Sequence, residues 1–172
     1  MSSAAASSAA SPRGGWRWLL LSGLVILLDQ LSKLAAERWL TPFEPLSILP
    51  SLNLTLLYNP GAAFSFLAGA GGWQRWLFVV LALGVSVGLV IWLSRLRPQE
   101  RLLGAALSLV LGGAVGNLID RLLYGHVIDF IDLYWRDWHW PAFNIADSAI
   151  SVGAVLLLAD GLFGGRDRAG RS

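Results

Sequence analysis

The order of apolar and polar positions divides the chain into four long apolar stretches joined by more polar ones. The first runs from about Trp18 to Ala36, apolar through Leu28 and then interrupted by Asp29 and Lys33. The second, Trp76 to Leu93, carries no charge. The third, Leu102 to Ile119, is rich in Leu, Ala and Gly and ends at Asp120. The fourth runs from about Phe143 to Phe163, with Asp147 in its first turn and Asp160 near its last. A helix needs about 20 apolar residues to cross a bilayer, so each stretch predicts a transmembrane helix. Between the first two, Leu52-Asn53-Leu54-Thr55-Leu56 alternates as a short strand does. It leads into a turn, Tyr58-Asn59-Pro60-Gly61-Ala62-Ala63-Phe64-Ser65.

The pattern therefore predicts an all-α membrane protein: four transmembrane helices with a small β-containing loop domain. Residues 1–15, rich in Ser and Ala, read as a disordered tail. Residues 16–163 form one membrane domain with long connections at about 37–75 and 121–142, and 164–172 form a basic tail. Arg13 and Arg17 flank the first span as in a secretory signal. The span nevertheless runs on into Asp29-Gln30-Leu31-Ser32-Lys33 without a small-residue cleavage site, so its retention is expected.

Composition agrees. Of 172 residues, 55% are hydrophobic and only 14% charged, against roughly 25% charged in soluble domains. A surface-solvated globule and a nucleic-acid arm are excluded. Zero cysteines exclude a disulfide framework, a thiolate nucleophile and any metal site that needs Cys. The net charge of +2 says little; its placement says more. Arg13, Arg17, Arg95, Arg97, Arg101, Arg166, Arg168 and Arg171, eight of the thirteen basic residues, all fall on one side. By the positive-inside rule both termini are cytoplasmic and both long connections face outward. Trp39, Trp73, Trp76, Trp135, Trp138 and Trp140 gather at the outer boundary.

Charged residues at span edges are costly and point to function. On this topology Asp120, Asp129 and Asp147 all lie at the outer leaflet. Asn117 and Asp120 share a helix face, as do Asn144 and Asp147. Asp29 and Lys33, at i,i+4, read as a buried pair bracing the helices. Asp120 is expected either to pair with Arg121 or to react, and Asp132 and Asp137 to be solvated. His126 and His139 are the only histidines, without a His-Glu-x-x-His run, and no Gly-x-Ser-x-Gly elbow exists. A Ser–Lys dyad of Lys33 with Ser32 or Ser65 is possible on paper. Two facing carboxylates activate water unaided, because close like charges cannot both ionise. The residues alone leave open whether Asp120 or Asp129 partners Asp147.

Five blocks in order then carry a resemblance. They are Asp29-Gln30-Leu31-Ser32-Lys33, Asn59-Pro60-Gly61-Ala62-Ala63-Phe64-Ser65, Gly112 through Arg121, Val127-Ile128-Asp129-Phe130 and Phe143-Asn144-Ile145-Ala146-Asp147. Over residues 16–163 the sequence resembles bacterial lipoprotein signal peptidase, or signal peptidase II. Pro60, at a variable position of its block, is the only departure. The resemblance implies an aspartyl endopeptidase of the bacterial inner membrane, working without metal or organic cofactor. It implies that diacylglyceryl-prolipoproteins are cut before the lipidated cysteine, at the outer face. The catalytic pair maps onto Asp129 and Asp147. Asp29, Lys33, Asn59, Asn117, Asp120, Arg121 and Asn144 map onto positions that shape the pocket and orient substrate. Membrane lipids are expected partners, nucleic acid is not, and a monomer is expected. The rival is a transporter or assembly subunit using the acids as a proton relay. It would want acids spread through the membrane depth, whereas only Asp160 lies away from the cluster.

Overall fold

A computed structural model describes residues 15–61 and 71–169, with side chains up to residue 163. In chain order the elements are α1 (Trp18–Trp39), β1 (Leu46–Leu49), β2 (Leu52–Asn59), α2 (Trp73–Ser94), α3 (Arg101–Leu123), β3 (Val127–Trp135), β4 (Trp138–His139) and α4 (Ile145–Ala169). All four helices are long and apolar enough to cross a membrane, as the apolar stretches predict. Helix α4 continues to Ala169, so residues 164–169 are helical rather than part of a tail. Ala62-Ala63-Phe64-Ser65 and the N-terminal tail before Gly15 lie outside the described residues.

The helices differ in what surrounds them. In α3, 61% of the spanning window is buried, against 28%, 22% and 17% in α1, α2 and α4. Helix α3 is therefore the hub, and its small residues explain why. A Cβ on Gly112 would stand 2.7 Å from the Val25 Cβ of α1. One on Gly113 would stand 2.7 Å from Ile150 Cγ1 of α4, and one on Gly116 2.7 Å from Asp29 Oδ2. Membrane helices lack a hydrophobic drive to associate with one another and rely on such close backbone approach. From α4, Gly153 returns the contact against Val110. The Ser22 hydroxyl donates to the Ser108 carbonyl at 2.9 Å, so α1 and α3 run side by side in the same direction. The outward faces carry Leu, Val, Ile, Trp and Phe, the composition lipid demands.

Four strands form one antiparallel sheet in the order β1-β2-β3-β4. Leu57, Tyr58 and Asn59 of β2 stand opposite Asp129, Ile128 and Val127 of β3. The alternation around Leu54 predicts β2, though the strand runs further, through Asn59. Strands β3 and β4 were not anticipated within the 121–142 connection. The run Val127-Ile128-Asp129-Phe130-Ile131 is β-branched and aromatic, and pairing with β2 satisfies its backbone. A bulge between Leu54 and Leu57 locally bends β2. Gly125, at φ +85°, makes the turn from α3 into β3, where a side chain is disfavoured. Leu56, Ile128, Phe130 and Ala36 bury the sheet against the end of α1.

Candidate active site

Two groups of buried polar residues meet where α1, α3, β3 and the start of α4 converge. In the first, Lys33 is almost fully buried. Its Nζ lies 2.7 Å from Asp29 Oδ2 and 2.8 Å from Asp120 Oδ2. It also donates to Asn117 Oδ1 at 3.0 Å. The remaining oxygens are used as well. Asp29 Oδ1 accepts the Ala146 backbone N–H at 2.9 Å, one of the otherwise orphaned donors at the start of α4. Asp120 accepts Gln30 Nε2 at 2.9 Å and the Ile128 N–H at 3.2 Å. A buried charge is tolerated only when paired and hydrogen-bonded, and this group meets that condition on all sides.

The second group holds Asp129 and Asp147 without a direct cation. Asn144 precedes α4 as its N-cap, its carbonyl accepting the Ser148 N–H at 3.1 Å. Its Oδ1 accepts the Asp147 N–H at 2.9 Å, while Asp147 Oδ2 accepts the Asn144 N–H at 3.3 Å. That is a reciprocal cap, with Asn and Asp in the two capping-box positions. The same Asn144 donates Nδ2 to Asp129 Oδ1 at 2.8 Å and to Asn117 Oδ1 at 3.2 Å. Asn59 Nδ2 reaches Asp129 Oδ2 at 3.1 Å, and Asn117 Nδ2 reaches Asp147 Oδ1 at 2.7 Å. Amides therefore hold both carboxylates.

Burial, and secondarily the charge of Asp147, push the Asp129 carboxyl up to about 7; Asn59, Lys33 and Asn144 act against this. Both carboxylates line a cavity of about 550 Å³ together with Asn59, Asn117 and Arg121. Arg121 does not neutralise them by a salt bridge among the described residues. It donates to the Asn117 and Gly61 carbonyls at 3.3 and 3.2 Å and lies over the Phe78 ring. The rest of the wall includes Val127, Leu133, Trp140, Phe143, Ile150 and Val152. The cavity thus joins the polar carboxylate site to a largely apolar wall.

Every residue that the resemblance maps onto the site lies in one of these two groups or lines the cavity. Two expectations fail. Asp120 pairs with Lys33, not with its neighbour Arg121, because consecutive residues on a helix point about 100° apart. Asp132 is buried, not solvated. It accepts Asn53 Nδ2 and Thr55 Oγ1, each at 3.2 Å, and pairs with His139 Nδ1 at 2.7 Å. Alternation along β3 turns Asp132 and Asp129 to opposite faces, so the sheet holds one against Asn53 and Thr55 and offers the other to the cavity. The Ser32 hydroxyl donates to the Asp29 carbonyl at 2.8 Å, and Lys33 is saturated, which removes that form of the Ser–Lys dyad; Ser65 lies outside the described residues. Gln30, which donates to Asp120, joins the site beyond the residues that the sequence marks, and its polarity within a span is the signal for it. No group of His, Cys, Asp and Glu among the described residues is arranged to hold a metal ion.

Fold and site together define a multi-pass membrane protein of hydrolytic type, with an amide-held carboxylate pair facing a cavity. Comparison gives the family. The signal peptidase II profile matches residues 21–163. A lipoprotein signal peptidase of Pseudomonas fluorescens is 54% identical over 155 residues, covering 89% of this chain and 91% of the relative. One of Burkholderia mallei is 54% identical over 145 residues, covering 84% and 87%. A solved structure described as a bacterial membrane enzyme superposes with TM-score 0.78 at 29% identity, covering 91% of this chain and 92% of that one. The chain belongs to the signal peptidase II family, aspartic membrane peptidases that remove signal peptides from prolipoproteins.

Proposed function

We propose that this chain cuts diacylglyceryl-modified prolipoproteins before the lipidated cysteine, with Asp129 and Asp147 as the catalytic pair. The observation that carries the proposal is that these two carboxylates share Asn144 and line one cavity, while among the described residues no cation forms a salt bridge with either. The negative charge rests on Asp147, which accepts Asn117 and the start of α4, where the helix dipole favours an anion. Asp129 carries the proton. Asp147 takes a proton from water as the water oxygen bonds to the scissile carbonyl carbon, and Asp129 donates to the carbonyl oxygen. In the tetrahedral species Asp147 then protonates the amide nitrogen and Asp129 recovers its proton from a hydroxyl. The C–N bond breaks, releasing an acid and an amine.

Asn59, Asn117 and Asn144 orient the pair, Asp29, Lys33 and Asp120 brace it, and Arg121 shapes the cavity beside Gly61. The apolar wall suits a substrate whose acyl chains stay in lipid while its extended peptide crosses the carboxylates; each buried CH₂ contributes about 0.8 kcal/mol. The enzyme works as a monomer in the bacterial inner membrane, with membrane lipids around it. The site lies at the outer face, and both termini and the 164–172 segment are cytoplasmic.

Cleavage by purified full-length protein tests this directly. A precursor peptide bearing the diacylglyceryl group is expected to be cut far faster than the same peptide without it; equal rates would overturn the substrate assignment. Reporter fusions after Arg97 should be active only as cytoplasmic reporters, and after Asp132 only as exported ones. An exported signal at Arg97 would reverse the orientation.

A further inference from the structure

A second cavity, about 440 Å³, lies away from the carboxylates, between α1 and α2 with α3 as its floor. Leu19, Gly23 and Ile26 form one wall, Val87, Val90 and Ile91 the other. It shares no lining residue with the carboxylate cavity. Helices α1 and α2 each pack along α3, and the cleft is the space this leaves between them. At membrane depth an apolar cleft stays dry, and left empty its walls lose their dispersion partners. An alkyl chain satisfies both conditions.

The rim says what the chain is attached to. Ile91 stands about one helical turn before Arg95, and Arg17 lies two residues before Leu19 at the start of α1. The Arg17 guanidinium donates to the Pro98 carbonyl at 3.4 Å. That contact brings the start of α1 against the α2–α3 connection, which also carries Arg97 and Arg101. All four arginines are exposed. The acid among them is Glu100, whose Oε2 accepts the Arg97 backbone N–H at 2.8 Å. Four guanidinium groups against one carboxylate at the mouth of a hydrocarbon cleft complement one chemistry, a phosphate-bearing lipid of net negative charge.

We propose that the α1–α2 cleft and its arginine rim bind one membrane phospholipid with an anionic headgroup, its acyl chain in the cleft and its phosphate on Arg17, Arg95 and Arg97. The lipid fills the gap between α1 and α2 and stabilises the bundle from the end opposite the carboxylates.

The test is thermal unfolding and native mass spectrometry of the full-length protein in mixed micelles, titrated with dioleoyl phosphatidylglycerol or dioleoyl phosphatidylcholine. Phosphatidylglycerol should raise Tm and remain bound at one equivalent. Phosphatidylcholine, with identical chains, should need at least tenfold more lipid for the same shift. Arg95→Gln with Arg97→Gln should weaken phosphatidylglycerol binding about thirtyfold. Gly23→Leu, at a position where a Cβ meets nothing within 4 Å, should fill the cleft and abolish the Tm shift; Val90→Phe repeats the test should that variant misfold. Cleavage of the lipidated peptide by the arginine variant should be unchanged in detergent. Equal response to both lipids, or a phosphatidylglycerol shift that survives either the arginine or a folded cleft-filling variant, overturns the proposal.

Discussion

Four carboxylates are buried and a fifth, Asp147, is half-buried where the helices meet the adjoining sheet, and their surroundings divide them. Asp29 and Asp120 share the ammonium of Lys33, within 2.7 and 2.8 Å, and every remaining oxygen serves a backbone or amide donor. Asp129 and Asp147 receive only amides, side-chain or backbone, and open on a cavity. The Lys33 group is closed, with its ammonium and every carboxylate oxygen engaged, and it holds three helices in place. The Asp129–Asp147 group is open, with no salt bridge to either carboxylate among the described residues. The proposed chemistry uses the open group, whose carboxylates line the cavity a substrate can enter. Asp132 belongs with the closed class, saturated by Asn53, Thr55 and His139.

The largest effect should come from breaking the open pair. Asp129→Asn or Asp147→Asn is expected to reduce cleavage of a lipidated precursor by on the order of 10³-fold or more, with membrane insertion and protein level unchanged. Asn keeps the shape and cannot serve as base. Normal turnover in Asp129→Asn, alongside a well-expressed but inactive Asp120→Asn, would transfer the catalytic role to the closed group.

The closed group should fail differently. Lys33→Met leaves two carboxylates buried without a cation and should cost about 3–5 kcal/mol. It should appear first as lost abundance and a lowered Tm in detergent. A stable Lys33→Met protein that merely cuts slowly would mean the two groups are not divided as described.

Titration sharpens the contrast. Asp129, pushed up to about 7 by burial and then by Asp147, holds its proton below that pH. Since the proposed mechanism needs that proton, kcat should fall as pH rises through about 7. Asn59 donates to Asp129 and favours its ionised form, so Asn59→Ala should move the falling limb to higher pH. Stability follows the same sign. The folded carboxyl binds its proton more tightly than an unfolded one, whose ordinary value is 3.8. Its contribution is complete below that value and is lost as pH rises through about 7. In Asp129→Asn, Tm should lose this pH dependence.

The smallest effect belongs to the sheet. Asp132→Asn keeps an acceptor for Asn53 and Thr55 and gives up the His139 pairing, which should cost about 1 kcal/mol. Cleavage should stay within about twofold of the parent, measured on the same peptide. A tenfold loss would place Asp132 with the reactive pair.

Much of this was legible in the linear chain. Hydrocarbon imposes a length and a composition on anything that crosses it, so the four spans are written in the apolar runs, and the loop strand in the alternation around Leu54. Carboxylates and amides at span edges stand out because burying them in lipid is expensive. Their spacing at Asn117/Asp120 and Asn144/Asp147 already marks two helix faces. What each acid does was not legible. Lys33 lies four residues from Asp29 but far along the chain from Asp120 and Asn117, and only the approach of α1 to α3, permitted by Gly112 and Gly116, delivers its charge to them. Asp120 adjoins Arg121 in sequence and points away from it. Asp129 and Asp132 look alike in the string, and pairing of β3 with β2 turns one to the cavity and the other against Asn53, Thr55 and His139. A residue's cost of burial is local and readable from its type and neighbours. Its compensation comes from groups distant in the chain, so folding decides which carboxylates share a cation and which are held by amides alone.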